Sequence, residues 1–158
     1  MGGGSPTFLS DDELEQLLGI LQNAFRFVPG GEYAIEIDPR TIDAGRLKRL
    51  AAIGFNRLSF GVQDFDPAVQ QAVHRVQSVE GTKAVIDWAR KHGFNSVSVD
   101  LIYGLPKQTP ETFKDTVNAV IAMDPDRLSV YSYAHLPTIF KPQRRIAEED
   151  LPVANPLS

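Results

Sequence analysis

Residues 97–113 read VSVDLIYGLPKQTPETF, and this stretch contains one complete strand–turn–helix unit. Apolar and polar residues alternate over 97–101 of the stretch 97–102, which is typical of a β-strand, and Asp100 lies within that strand. Gly104-Leu-Pro106 predicts the turn that ends it. Thr109-Pro110-Glu111 predicts a helix start, because an N-cap threonine precedes a proline at the first helical position. The stretch therefore predicts one βα unit.

Strand-like and helix-like segments alternate along the rest of the chain as well. Predicted strands cover 33–38, 57–61, 97–102 and 127–132, and predicted helices cover 10–25, 43–53, 68–73, 79–91 and 109–123. Strands that alternate with helices in this way form right-handed βαβ units around a mainly parallel sheet, so the sequence predicts an α/β fold. Beyond residue 134 proline becomes frequent. We expect a domain of residues 1–146 followed by a loosely ordered tail at 147–158.

The composition is that of a globular protein, with 158 residues, 42% of them hydrophobic, and a formal net charge of −4. This acidic balance argues against a general nucleic-acid-binding surface. No apolar run approaches the roughly 18 residues that a membrane-spanning helix needs. The first residues lack the charged and apolar regions of a signal peptide, so we expect a cytoplasmic location.

The sequence contains no cysteine. This excludes disulfides, thiol catalysis and any zinc or iron–sulfur site whose cysteine ligands would come from this chain. The three histidines, His74, His92 and His135, have neither HxxxH nor HxH spacing. We therefore expect no metal site built from them.

Polar residues occur at the carboxyl end of every predicted strand. Glu36 lies between two isoleucines of the first strand, Gln63 follows the second, and Asp100 lies between apolar residues of the third. Strand alternation turns Glu36 and Asp100 away from their apolar neighbours. Because the carboxyl ends of parallel strands meet at one edge, these side chains predict a shared polar ligand site.

Several of these polar residues also have an ordinary structural interpretation. Asp38 and Asp66 each precede a proline, which is typical of turn and cap residues, and Asp64 is open to the same interpretation. Gln63 remains open between a ligand contact and a structural role. Arg75 is open between a ligand contact and a solvated charge at a helix end.

Six stretches together resemble a known family. They are GGGSPTFL at 2–9, IEIDPR at 35–40, GFNRLSFGVQDFD at 54–66, HRVQ at 74–77, VDLIYGLPKQTPETF at 99–113 and DRLSVYSYAHLPTIFKPQRRI at 126–146. The combination closely resembles the oxygen-independent coproporphyrinogen III oxidase family, a radical S-adenosylmethionine (SAM) family of haem biosynthesis. The resemblance covers residues 2–146 and is most specific in the last stretch.

The resemblance implies a fold, an activity and cofactors. Family members fold as a partial (β/α) barrel, carry a 4Fe-4S cluster on a CxxxCxxC motif, and hold two SAM molecules. They are oxidoreductases that convert two propionates of coproporphyrinogen III to vinyl groups, which gives protoporphyrinogen IX. For this chain the resemblance implies the corresponding part of such a barrel and coproporphyrinogen III as the small-molecule substrate of the parent enzyme.

The resemblance also implies which residues contact SAM. Gly3 lies in the turn that receives the cluster-bound SAM, and Glu36 matches the acidic residue that contacts this first SAM. Residues that match positions around the second SAM are Gly4, Ser5, Gln63, Arg75, Asp100 and Ala134. The family usually has threonine where Ser5 stands, so the hydroxyl is kept and a methyl group is lost.

This chain departs from the family because the three cluster cysteines are absent. We therefore expect an internal fragment that begins at the turn after the second barrel strand and holds the third to sixth strands. Such a fragment would bind no cluster and have no oxidase activity, and it would bind SAM weakly at most because part of the pocket is missing. Its exposed strand edges at 33–38 and 127–132 would favour self-association.

An alternative from another functional class remains open. The chain could be a cluster-free protein of the same family that binds or carries SAM or haem. Met123, Tyr133 and His135 are the residues that could serve as haem ligands, and each is equally compatible with a core or turn role.

Overall fold

A computed structural model describes residue 1 and residues 4–152. The helices are α1 Asp11–Ala24, α2 Ala44–Ala52, α3 Pro67–Ala72, α4 Val79–Lys91 and α5 Pro110–Ala122. The strands are β1 Ala34–Ile37, β2 Arg57–Gln63, β3 Ser96–Tyr103 and β4 Arg127–Ser132. Short 3-10 turns cover Pro6–Phe8, Lys141–Arg145 and Glu148–Asp150. The predicted alternation of strands and helices is confirmed. None of the helices in the described residues is long and apolar enough to cross a membrane.

Local sequence signals set where the helices begin. The hydroxyl of Ser10 accepts from the amide of Glu13 while the Glu13 carboxylate accepts from the amide of Ser10, which is a complete capping box at α1. Asp66 accepts from two amides at the start of α3, and Thr109 caps α5 ahead of its first-turn proline. Both caps agree with the sequence prediction.

The four strands form one parallel sheet in the order β1-β2-β3-β4, so each strand pairs with the next one along the chain. The sheet is open rather than closed into a barrel. The carbonyl of Met1 accepts from the amide of Glu36 at 2.9 Å, so the start of the chain lies against the edge of β1 that faces away from β2.

One face of the sheet is apolar and covered by helices. Neighbouring strands place Ile35, Leu58 and Val97 in one row and Ile37, Phe60 and Val99 in the next, and all six side chains are buried. They form one core with Leu14, Leu47, Leu50, Val85, Ile86 and Val120 from the helices. Burial of these apolar side chains determines which face of the sheet packs against the helices. The opposite face therefore carries the polar residues of the strands.

Candidate functional site

The polar face of the sheet holds the predicted acidic residues. Glu36 is exposed while both of its isoleucine neighbours are buried, so it points away from the core as the alternation predicts. Asp100 lies on the same face, in register with Gly61 on one side and Ser129 on the other. The two carboxylates and the end of β2 thus share one surface.

The carboxyl end of β2 is bent sharply at Gln63. The strand register shifts between Gly61 and Gln63, Gln63 has φ 70°, and the amide of Asp64 donates to the carbonyl of Val62 at 2.9 Å. This is a γ-turn with positive φ at its centre, a rare and strained conformation. It folds the Gln63 side chain back over β2, and a Cβ at Gly61 would overlap Gln63 Nε2. Glycine is needed at position 61 for this close approach.

Side chains from the segment after β2 satisfy the carbonyl groups that leave the sheet at this bend. The bonds run from Arg75 Nη2 to Gly61 O at 3.1 Å, from Gln77 Nε2 to Val62 O at 2.6 Å and from Gln70 Nε2 to Asp64 O at 2.9 Å. Buried carbonyl groups without partners would be costly, so these three side chains stabilise the bend. The HRVQ stretch is thereby held against the strand end.

Asp64 is a buried carboxylate at this bend whose long-range hydrogen bonds sequence reasoning missed. Its side chain is 1% exposed and accepts hydrogen bonds from Gln108 Nε2 at 2.6 Å, from Thr116 Oγ1 at 2.9 Å and from the amide of Asp66 at 2.6 Å. The last bond is the turn role that the sequence allowed. The other two connect Asp64 to the loop after β3 and to α5, and no local pattern signals them.

Burial changes the protonation equilibria of two predicted site residues. Burial lowers the pKa of the Arg75 guanidinium, an effect opposed by the negative charges of Asp38 and Glu36. Burial also raises the pKa of Asp100, opposed by a hydrogen bond from Ser129 and by the charge of Arg57. Both charged groups are therefore partly desolvated in the folded chain, and such groups are frequent at ligand sites.

Three buried polar atoms at this bend have no hydrogen-bond partner among the described residues. They are Gln63 Oε1 and Gln77 Oε1, both acceptors, and Arg75 Nε, a donor. Unpaired buried polar atoms are rare in folded proteins. Acceptors and a charged donor without partners at one strand end fit a polar, anionic or zwitterionic ligand.

A pocket of about 470 Å³ opens beside these atoms. Gln63 and Arg75 line it together with Ile102 at the end of β3, Tyr133 after β4, and residues 142, 143 and 146. Its volume lies in the range of small-molecule sites, roughly 300–1,000 Å³. The pocket is at the carboxyl ends of the parallel strands, where ligands bind in open α/β sheets.

The predicted residues fall into two groups. Gln63 and Arg75 line the pocket, whereas Ala134 does not; its carbonyl accepts from Nε2 of the lining residue Gln143 at 3.0 Å. Asp100 lies beside this group on the sheet. Glu36 lies on β1 with its amide bonded to Met1 O, and the 3-10 turn Pro6–Phe8 packs against the same strand; Gly4 and Ser5 lie between these two contacts in the sequence. Gly3 lies outside the described residues.

The predicted turn and haem-ligand candidates also have defined places. Asp38 accepts from the amide of Arg40 at 3.0 Å and pairs with its guanidinium, whose hydrogen bond lowers the pKa of Asp38. Met123 is 4% exposed and belongs to the hydrophobic core, while the Tyr133 hydroxyl is 3.3 Å from His135 Nδ1. In the described residues, no group of three or more histidine, aspartate or glutamate side chains is placed to hold a metal ion.

The chain is similar to known proteins along nearly all of its length. The profile of the radical SAM superfamily matches residues 1–120. The oxygen-independent coproporphyrinogen III oxidase of Pseudomonas aeruginosa is 52% identical over 153 residues, which are 96% of this chain and 33% of that protein.

Solved structures agree with this similarity. Coproporphyrinogen III oxidase from Escherichia coli, described as a radical SAM enzyme, matches with a TM-score of 0.92 and 51% identity over 97% of this chain and 35% of that one. Elp3 from Methanocaldococcus infernus matches with a TM-score of 0.73 and 18% identity, which shows a common fold alone. The chain spans about a third of the length of the coproporphyrinogen oxidases that it matches.

Proposed function

This chain belongs to the radical SAM superfamily, and from that membership we propose that it forms part of an oxygen-independent coproporphyrinogen III oxidase. The reaction is the oxidative decarboxylation of two propionates of coproporphyrinogen III to vinyl groups, which gives protoporphyrinogen IX. The observation that carries the proposal is the 52% identity with an oxygen-independent coproporphyrinogen III oxidase over 96% of this chain, and the pocket at the strand ends, lined by Gln63 and Arg75, supports it.

We assign SAM to two places on the polar face. Glu36 and Gly3 are assigned to the first SAM, and Gln63, Arg75, Asp100 and Ala134, with Gly4 and Ser5, are assigned to the second. When bound next to a reduced cluster, SAM supplies the radical chemistry of the family. The residues of this chain bind and orient it.

The chemistry of the side chains fits these roles. The Arg75 guanidinium complements a carboxylate such as that of the methionyl group, and a charge-assisted hydrogen bond to it is stronger than a neutral one. Asp100 accepts from an amino group or a ribose hydroxyl, and a ligand cation would offset the burial that raises its pKa. Gln63 offers both a donor and an acceptor.

The 4Fe-4S cluster does not fit this chain. Its ligands in the family are thiolates, and the sequence has no cysteine. We therefore propose no cluster-dependent step for these residues and expect the chain alone to lack oxidase activity. Anaerobic reconstitution with iron and sulfide should give no charge-transfer absorption, and a stoichiometric cluster would contradict this expectation.

Titration calorimetry of the chain with SAM tests the site. We expect weak, saturable binding that falls by about 10-fold or more in Arg75→Met, because a hydrogen bond to a charged group contributes about 1.5–3 kcal/mol. Arg90→Met is a matched control, since the Arg90 guanidinium also donates to a backbone carbonyl, that of Asp124. Arg90 lies in the last turn of α4 and does not line the pocket. Absence of binding by the folded wild type, or equal affinity of Arg75→Met, would refute the proposed site.

The absence of cysteine favours a second candidate, a cluster-free SAM-binding protein. Micromolar SAM affinity without any other polypeptide would support it. Oxidase activity that appears when a polypeptide carrying the cysteine motif is added would support the first candidate instead. The two outcomes separate a carrier from a part of an enzyme.

Three properties of the chain remain part of the proposal. We propose self-association of two copies through β4, because Leu128, Val130 and Tyr131 are 41%, 47% and 55% exposed and no described strand pairs with its outer edge. The net charge of −4 supports a protein that does not bind nucleic acid. A cytoplasmic location completes the proposal.

A further inference from the structure

We infer that Asp64 is a positioning residue, held by Gln108 and Thr116, that keeps the γ-turn at Gln63 and so presents the Gln63 amide to the ligand. The inference rests on the proposed function for the identity of that ligand, a SAM-class molecule. It assigns to Asp64 a role that acts through its neighbour rather than by contact with the ligand.

The γ-turn needs an external support. Its central residue, Gln63, has φ 70°, which is unfavourable for a residue with a side chain, and its one internal bond joins the Asp64 amide to Val62 O. Val62 O also accepts from Gln77 Nε2 at 2.6 Å, so one carbonyl is held by two donors. Strain of this kind persists only where the surroundings hold both ends of the turn.

The carboxylate of Asp64 holds the second end. Oδ1 accepts from Thr116 Oγ1 at 2.9 Å and from the amide of Asp66 at 2.6 Å, while Oδ2 accepts from Gln108 Nε2 at 2.6 Å. All three partners are donors, so the position requires a group that only accepts. The next amide along the chain, that of Phe65, donates to Thr116 Oγ1 at 3.0 Å and fixes the exit from the turn.

The network also connects the turn to the opposite side of the pocket. Gln108 Oε1 accepts from the amide of Gly104 at 2.6 Å, and Gln108 Nε2 also donates to Ile102 O at 2.9 Å. Ile102 and Leu105 line the pocket. Asp64 therefore connects the end of β2 to the end of β3 through the buried side chain of Gln108. Displacement of its carboxylate should disturb both strand ends.

Substitution by asparagine is a sharp test because it changes one atom. In Asp64→Asn the side-chain NH2 faces either Gln108 Nε2 or the amide of Asp66, and both of these are donors. Rotation of the Gln108 amide does not solve the conflict, since its nitrogen would then face the amide of Gly104. In the double variant Asp64→Asn with Gln108→Glu, the asparagine NH2 donates to a glutamate oxygen, which restores a donor–acceptor pair. One poor contact remains, because the same glutamate oxygen faces Ile102 O and both are acceptors.

Thr116→Val is the milder variant in case Asp64→Asn does not fold, and Thr82→Val is its matched control. Thr116 and Thr82 are 1% and 2% exposed, and the hydroxyl of Thr82 donates to Ser78 O at 2.9 Å within α4, away from the pocket. Both valines lose a buried hydroxyl. A general loss of stability therefore affects both variants, and a loss of turn geometry affects only Thr116→Val.

The first measurement needs no ligand. In the wild-type chain the side-chain amide protons of Gln63 should give nuclear Overhauser contacts to the Cα protons of Gly61, because Nε2 lies over that residue. We expect these contacts to be lost in Asp64→Asn and Thr116→Val and kept in Thr82→Val. Unchanged contacts in both site variants would overturn the inference, whether or not SAM binds.

The second measurement is a double-mutant cycle on SAM affinity, by calorimetry of the full chain. We expect Asp64→Asn to weaken SAM binding about fivefold, the effect of one lost hydrogen bond, and to weaken it less than about twofold in a Gln63→Ala background. Gln108→Glu should recover part of the affinity of Asp64→Asn. Additive effects of Asp64→Asn and Gln63→Ala would overturn the inference, whereas a folded wild type that binds no SAM would refute the proposed SAM site alone.

Discussion

Gly61→Ala separates stability from ligand binding, because position 61 is crowded by a side chain of the site and not by the backbone. Gly61 lies in the interior of β2 without a positive φ, so an alanine meets no backbone strain there. The added Cβ would overlap Gln63 Nε2 and lie 3.5 Å from Arg75 Nη2. Only the first contact is prohibitive, and it involves the free end of a flexible side chain.

Two opposing effects set the change in the free energy of unfolding. Replacement of glycine by alanine in a strand interior stabilises the folded chain by about 0.5–1 kcal/mol. Relief of the overlap by a torsion shift of about 30° in the Gln63 side chain costs about 0.5–1.5 kcal/mol. The net change lies within about 1 kcal/mol of zero, which for a chain of this length is a shift in Tm of about 2–4 °C at most.

Binding should respond more strongly than stability. The displaced amide can no longer offer its hydrogen bond to the ligand, and one such bond contributes about 1 kcal/mol, so SAM affinity should fall about fivefold. Thermal unfolding followed by circular dichroism gives Tm, and titration calorimetry gives the affinity. Gly19→Ala is the control, since Gly19 lies within α1 with nothing within 4 Å of its Cβ position and should raise Tm without changing affinity.

Two results would refute this reasoning about Gly61. A loss of Tm well beyond the stated range would mean that the backbone, and not only the Gln63 side chain, blocks a Cβ. SAM affinity equal to that of Gly19→Ala would mean that the Gln63 amide makes no contact with the ligand from this position.

Further predictions concern the half-buried carboxylate of Asp100 and the exposed strand β4. Burial raises the pKa of Asp100 above its ordinary 3.8, so the folded chain holds this proton more tightly than the unfolded chain, and ionised Asp100 lowers stability at neutral pH. Asp100→Asn should therefore have a higher Tm than the wild type at about pH 7. This difference in Tm should shrink as the pH falls towards about 4, where Asp100 becomes protonated. A difference in Tm that grows on acidification would contradict a raised pKa of Asp100. Val130→Lys on β4 should convert associated chains to monomers in size-exclusion chromatography with light scattering, and an unchanged mass would exclude pairing through this surface.

Local sequence determined the elements of this protein and the face on which two site residues lie. The capping box at Ser10, the cap–proline start at Thr109 and the period-2 alternation around Glu36 and Asp100 depend only on neighbours in the chain, and each has its predicted place in the structure. A residue flanked by two buried apolar neighbours in a strand must point to the other face. Helix starts, strands and the polar face of the sheet therefore follow from the sequence by itself.

Tertiary structure alone decided how the site is held. The bonds that fix Asp64 come from residues 44 and 52 positions away, and a sequence pattern contains no information about such partners. The γ-turn at Gln63 likewise depends on how the segment after β2 returns to the strand end, which Arg75 and Gln77 bring about through carbonyl groups that every residue possesses. Because backbone groups carry no side-chain identity, only the folded chain shows which of them become partners and which polar atoms are left without one.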